Sequence, residues 1–132
     1  MLARLGIRLA LALLAVAVLG GCSRSGATPI PTESTGPVVT PVTVVMTEML
    51  FTPSAFTVPV GSKVVVTLKN QGVVPHDFTI DNVGGQQVQQ VVPAGQTTTV
   101  TFLAPTQPGQ LTFYCSQPGH RQAGMQGTIT VQ

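Results

Sequence analysis

Charge is scarce in this chain of 132 residues, and so are the side chains that do most protein chemistry. Only 8% of residues are charged, and there are two cysteines, two histidines and no tryptophan. Lys and Arg number 6 against 4 Asp and Glu. With no basic stripe and no RNA- or DNA-binding motif, nucleic acid is excluded as a partner. The apolar run Leu9–Leu19 falls far short of the roughly 20 residues needed to cross a bilayer as a helix. After Cys22 no ten-residue segment repeats its apolar residues at helical spacing, which excludes a helical domain.

The front of the chain, MLARLGIRLALALLAVAVLGGC, reads as an export signal over 1–21, with Arg4 and Arg8 preceding the apolar run. Leu19-Gly20-Gly21-Cys22 resembles a bacterial lipobox, so Cys22 is expected to carry lipid and become the mature N-terminus. The place implied is the bacterial cell envelope, on its periplasmic or extracytoplasmic face. Residues 22–41 are rich in Pro, Thr, Ser and Gly without an apolar period, and read as a tether. As a flexible coil they reach roughly 25 Å, and about 60 Å if the prolines keep them extended. Cutting before Cys22 leaves Arg24, Lys63, Lys69 and Arg121 against Glu33, Glu48, Asp77 and Asp81, a formally neutral product. Strong electrostatic steering of a partner is therefore not expected.

From Val42 to Gln132 the period is two. Val42, Val44 and Met46 alternate with threonines; so do Val64, Val66 and Leu68 with Lys63, Thr67 and Lys69, Val100 and Phe102 with Thr99 and Thr101, and Ile129 and Val131 with Thr128 and Thr130. VPVG at 58–61 and VPAG at 92–95 punctuate the strands as turns. Short Thr/Val-rich strands between such turns predict an all-β antiparallel sandwich or barrel over 42–132.

The two histidines then become informative. Cys115, His120 and Met125 stand at even five-residue steps in FYCSQPGHRQAGMQG, and His76 lies far upstream in VVPHDF. A thiolate, two imidazoles and a thioether are the donor set of a type 1 "blue" copper site. Thiolate and thioether are soft and hold Cu(I), whereas imidazole also suits Cu(II), so an electron can come and go with little rearrangement. Singly, each residue has an ordinary reading: a buried small hydrophobe, a turn histidine, a methionine filling a gap. Jointly they use both histidines of the chain, and they give an exported thiol with no disulfide partner an occupant. His76, Phe78 and Ile80 share one face of a strand, and Leu111, Phe113 and Cys115 share one face of another. If those strands are neighbours, or meet across the sandwich, both donors lie at one end facing inward. The loop after Cys115 then folds over that end, with Gly119 and Gly124 making its tight turns.

On these residues Val42–Gln132 resembles the cupredoxins, most strongly over VVPHDF and FYCSQPGHRQAGMQGTITV. The spacing Cys-x4-His-x4-Met departs from plastocyanin, which has two residues between Cys and His, and from azurin, which has three between His and Met. It is similar to that of auracyanin, rusticyanin and sulfocyanin. The resemblance implies a Greek-key β-sandwich and one type 1 copper, with His76, Cys115 and His120 equatorial and Met125 axial. It also implies one-electron transfer past an exposed edge of His120. Many cupredoxins carry Asn after the first histidine, where this chain has Asp77. Asp77 is expected to accept from the Ser116 backbone N–H, tying the two ligand segments together, and its charge is expected to lower the potential.

The leading expectation is a monomeric, membrane-tethered electron carrier whose partners are redox proteins, a membrane electron-transfer complex or a cytochrome. The alternative is a lipoprotein that sequesters or delivers copper, which would display Met or His clusters; Met46 and Met49 instead fall in a strand pattern. A copper enzyme needs histidines for a further metal, and a binuclear site needs a second cysteine near Cys115, so the chain is not expected to be an enzyme. A metal-free scaffold would make the donor pattern an accident.

Overall fold

The computed structural model describes residues 36–132, so the readings of 1–21, of Cys22 and of the tether as far as residue 35 lie outside the described residues. Nine strands follow one another without an intervening helix: β1 (Val39–Thr47), β2 (Leu50–Thr52), β3 (Ala55–Val58), β4 (Lys63–Asn70), β5 (His76–Val83), β6 (Gln86–Val92), β7 (Thr97–Leu103), β8 (Gly109–Tyr114) and β9 (Gln126–Val131). They form a four-stranded sheet, β2-β1-β4-β7, and a five-stranded sheet, β3-β9-β8-β5-β6. The expected all-β sandwich is what the residues 36–132 build. No helix among the described residues is long and apolar enough to cross a membrane.

Two features differ from the sequence reading. The sandwich is mixed and not purely antiparallel, because β1 pairs with β4, and β3 with β9, in parallel. Alternation of side chains fixes which face a residue takes but not the direction of the neighbouring strand, so the pattern had no means of showing this. The first strand also starts at Val39, three residues inside the segment read as tether. Pro41 is tolerated there because β1 pairs on that side with β4 alone, its pairing to β2 being confined to Val45–Thr47.

The alternating rows meet between the sheets. Val44, Met46, Val64, Val66, Leu68, Ile129 and Val131 are all buried. Under the loop-bearing end sits an aromatic group in which the Phe113 ring stacks on Phe78 at 4.9 Å and meets Phe51 edge-on at 5.1 Å. Gly127 lies opposite Phe113 in the β8–β9 register. A Cβ at Gly127 would come within 2.2 Å of the Phe113 ring and 2.4 Å of the Ser54 carbonyl oxygen, so only glycine fits there. Phe78 lies two residues after His76 and Phe113 two before Cys115, and this packing therefore fixes where both donors emerge. Met46 is a core side chain, but Met49 belongs to no strand: it occupies the two-residue turn between β1 and β2 with a φ of 63°.

Candidate metal centre

His76 opens β5, and Cys115 follows directly on the end of β8. The two strands are antiparallel neighbours, with Thr79 opposite Tyr114. That pairing puts the start of one strand beside the end of the other, so both side chains point inward at the same end of the sandwich. Cys115 and His76 are fully buried, and His120 is half-buried.

The Cys115–Met125 loop is closed by its own backbone. His120 N–H donates to Gln117 O at 3.1 Å, Ala123 N–H to Gly119 O at 3.0 Å, and Gly124 N–H to Arg121 O at 3.0 Å. Gly119 and Gly124 take φ values of 82° and 100°, the left-handed region that the expected turns require and that other residues enter at a cost. Met125 is tied at both ends of the donor series: its N–H donates to His120 O at 3.0 Å, and its carbonyl accepts from Cys115 N–H at 3.1 Å. Its side chain is fully buried.

The loop thereby carries His120 Nδ1 to 3.3 Å from Cys115 Sγ and to 3.2 Å from His76 Nδ1, while His76 Nδ1 lies 4.0 Å from the sulfur. The three donor atoms lie within 4.8 Å of one another. Two imidazole nitrogens and a sulfur converging in a buried space leave lone pairs facing lone pairs, an arrangement that a cation satisfies better than a proton. Burial pushes the Cys115 thiol above its ordinary range, opposed by the Asp77 and Gln117 backbone N–H groups. Burial, followed by the charge of His120, pushes His76 down, so the neutral imidazole that binds metal is favoured. The donor set therefore fits a soft to borderline transition metal, copper above all.

Asp77 and Ser116 stand where the sequence placed them, and the connection between them is more extensive than expected. Asp77 N–H points at Cys115 Sγ, 3.4 Å away. Asp77 Oδ1 accepts from Ser116 N–H at 2.8 Å and from Thr79 Oγ1 at 2.8 Å, and Oδ2 accepts from Ser116 Oγ at 2.9 Å and from Gln117 Nε2 at 3.2 Å. Gln89 Nε2 in turn donates to Ser116 Oγ at 3.0 Å, orienting the hydroxyl toward Asp77. Donors meet both oxygens, which suits an acceptor-only carboxylate better than an amide. Simple alternation puts Asp77 and Thr79 on the face away from the core, yet both are buried; Ser116 and Gln117 bond to Asp77, and Thr79 donates to the same carboxylate.

Sequence reasoning missed Thr79, Gln89 and Gln117 as members of this network, and it missed Glu48 and Gly72 beside His76. Only Gly72, three residues after the alternation that ends at Lys69, carried a signal, as a glycine in a turn. The Arg121 guanidinium carbon lies 3.9 Å over the Tyr114 ring, whose hydroxyl donates to Asp81.

Known proteins agree with this geometry. The family described as "Cupredoxin-like domain" matches residues 10–131. Plastocyanin A/B of Petroselinum crispum is 36% identical over 92 residues, which are 63% of this chain and 88% of that protein. Plastocyanin of Mercurialis perennis is 33% identical over 95 residues, covering 64% and 89%. Among solved structures, dithionite-reduced auracyanin from the photosynthetic bacterium Roseiflexus castenholzii aligns with a TM-score of 0.62 at 25% identity, over 74% of this chain and 99% of that one. With the strands, the donor cluster and the loop that closes it all in agreement, this chain belongs to the cupredoxin-like family.

Proposed function

We propose that the chain is a one-electron carrier in which a single copper would be held by His76, Cys115, His120 and Met125. The observation that carries this reading is the convergence of two histidine Nδ1 atoms and one thiol sulfur, backed by the Asp77 N–H, with His76 and Cys115 fully buried. A copper held by these residues would supply the one-electron couple Cu(II)/Cu(I). The chain's own contribution is rigidity. Backbone bonds within the loop and the Asp77–Ser116–Gln117 network hold the donors in place whether or not an electron is present. Plastocyanins and auracyanin as relatives support electron carriage in preference to an enzymatic role.

Electrons would cross at His120, the half-buried member of the set. Around it Pro118, Gly119, Ala123 and Gly124 are exposed, as are Val73 and Pro75 on the facing loop, with Val73 84% exposed. This mostly apolar surface, with Glu48 and Arg121 as its charged neighbours, suits brief contact with a redox protein such as a cytochrome or a membrane electron-transfer complex. Residues 1–21 would direct export, Cys22 would carry the lipid anchor, and the segment before β1 would tether a monomeric domain at the extracytoplasmic membrane face, raising the local encounter rate. Replacing Cys22 with Ser should move the protein from the membrane to the soluble exported fraction. Wild-type protein found wholly soluble would remove the anchor from the account.

The competing role, copper sequestration or delivery by a lipoprotein, gains no support from Met46 and Met125, which are buried away from exchange. A redox titration separates the two. An electron carrier takes up and returns one electron per chain with its copper retained. Copper that is lost on reduction would favour delivery.

A further inference from the structure

Among the described residues one buried side-chain polar atom has no hydrogen-bond partner, and it belongs to the proposed centre: His76 Nε2. Its Nδ1 faces the donor cluster, so Nε2 carries the ring's hydrogen when Nδ1 binds metal. Metal-binding histidines nearly always give that hydrogen to a carboxylate, a carbonyl or water, which fixes the tautomer and raises the basicity of the binding nitrogen.

The fold sets a carboxylate beside it. A Cβ built on Gly72 would lie 2.5 Å from Glu48 Oε1 and 3.1 Å from His76 Nε2. Glu48 and His76 thus flank one gap, which stays open only because residue 72 has no side chain. Glu48 is far from His76 in sequence and reaches this position from the β1–β2 turn, where Met49 takes a left-handed φ of 63° that costs a non-glycine residue strain. Its Oε1 is anchored by the Val73 N–H at 2.6 Å, on the loop leading to His76. That bond holds the carboxyl below its usual range, and His76 acts in the same direction.

We propose that Glu48 is a positioning residue of the metal centre: its carboxylate takes the Nε2 hydrogen of copper-bound His76 across the gap kept by Gly72, orienting the ring and strengthening Nδ1 as a donor to Cu(II). The inference rests on His76 being a copper ligand. A stronger nitrogen donor stabilises Cu(II) more than Cu(I) and lowers the reduction potential. No motif marks Glu48, which stands in the sequence only among the four acids of the charge count.

The test uses full-length wild type, Glu48→Gln, Glu48→Ala and Gly72→Ala, each loaded with copper. Two quantities are read: the reduction potential, and the His76 Nε2–H resonance in the diamagnetic Cu(I) form by proton–nitrogen NMR. Glu48→Ala should weaken Cu(II) relative to Cu(I) about tenfold, raising the potential. It should also move the Nε2–H signal or lose it to exchange. Gly72→Ala should shift both in the same direction by displacing the carboxylate. Glu48→Gln, which keeps an acceptor oxygen and the Val73 bond but no charge, should fall between. An Nε2–H signal indifferent to Glu48→Ala overturns the proposal, whether or not the potential moves, because the ring then has another acceptor. Wild type without a thiolate-to-copper absorption band overturns the copper reading itself, a failure visible before any variant is made.

Discussion

The two histidines of this chain reach the same small space by opposite means. His120 arrives on a loop that also delivers Cys115 and Met125 and is closed by hydrogen bonds between residues only a few positions apart. His76 arrives on β5, some forty residues earlier in the chain, and is held by strand pairing, by the Phe78–Phe113 stack and by Asp77 reaching Ser116 and Gln117. One is half-buried and the other fully buried. The difference separates two duties. The local loop can present an edge to a partner, and the long-range side supplies a fixed wall against which the loop is registered.

That contrast can be broken most severely at the histidines themselves. His76→Gly and His120→Gly should each abolish the blue band of the copper protein. Added imidazole should restore it in His120→Gly, where the missing ring leaves an opening to solvent, and fail to do so in His76→Gly, whose space is sealed. Equal rescue, followed by absorption during titration with imidazole, would show that the two positions are not differently enclosed.

The wall depends on packing below the centre. Gly127→Ala would force a methyl group against Phe113 and the Ser54 carbonyl, and overpacking of this kind typically costs about 1–3 kcal/mol. Denaturant unfolding should show the loss. Unchanged stability would mean that Phe113 yields freely and does not register the donors.

A smaller effect is expected on the loop side. Met125→Leu preserves volume and the backbone ties to Cys115 and His120, so copper should stay while the potential rises, because removing one donor altogether disfavours Cu(II) more than Cu(I). Voltammetry giving an identical potential would show that Met125 is not the axial donor.

The least effect is on the metal-free protein's response to acid. Burial lowers the His76 pKa from its ordinary 6.5, so the folded state binds fewer protons than the unfolded chain between the two values. Its contribution to stability is therefore fully present above about pH 6.5 and is lost as pH falls through the folded value. Unfolding midpoints across that range should decline toward acid, and His76→Gln should flatten the decline. A slope unaffected by the substitution would assign it to other groups.

Much of the loop side was legible in the sequence, and less of the wall. Even spacing from Cys115 to Met125, with glycines before His120 and Met125, is local information, and local structure expresses it directly. The rows His76-Phe78-Ile80 and Leu111-Phe113-Cys115 showed which side chains face inward because strand alternation is also local, whereas their meeting at one end was conditional on the two strands being neighbours. Pairing direction is not, and so the parallel β1–β4 and β3–β9 contacts were out of reach. The burial of Asp77 and Thr79 depends on a segment nearly forty residues away closing over them. Met49 looked like a strand residue because its neighbours alternate, yet it makes the turn. Glu48 carries no motif, and only the folded β1–β2 turn brings it beside His76.

The account turns on one thiolate held against two imidazoles, and visible absorption of the Cu(II)-loaded protein, beside Cys115→Ser under the same conditions, tests it most directly. The expected result is one tightly held copper per chain with an intense thiolate-to-copper charge-transfer band, absent from the variant. A colourless wild-type protein that binds copper only weakly would contradict it.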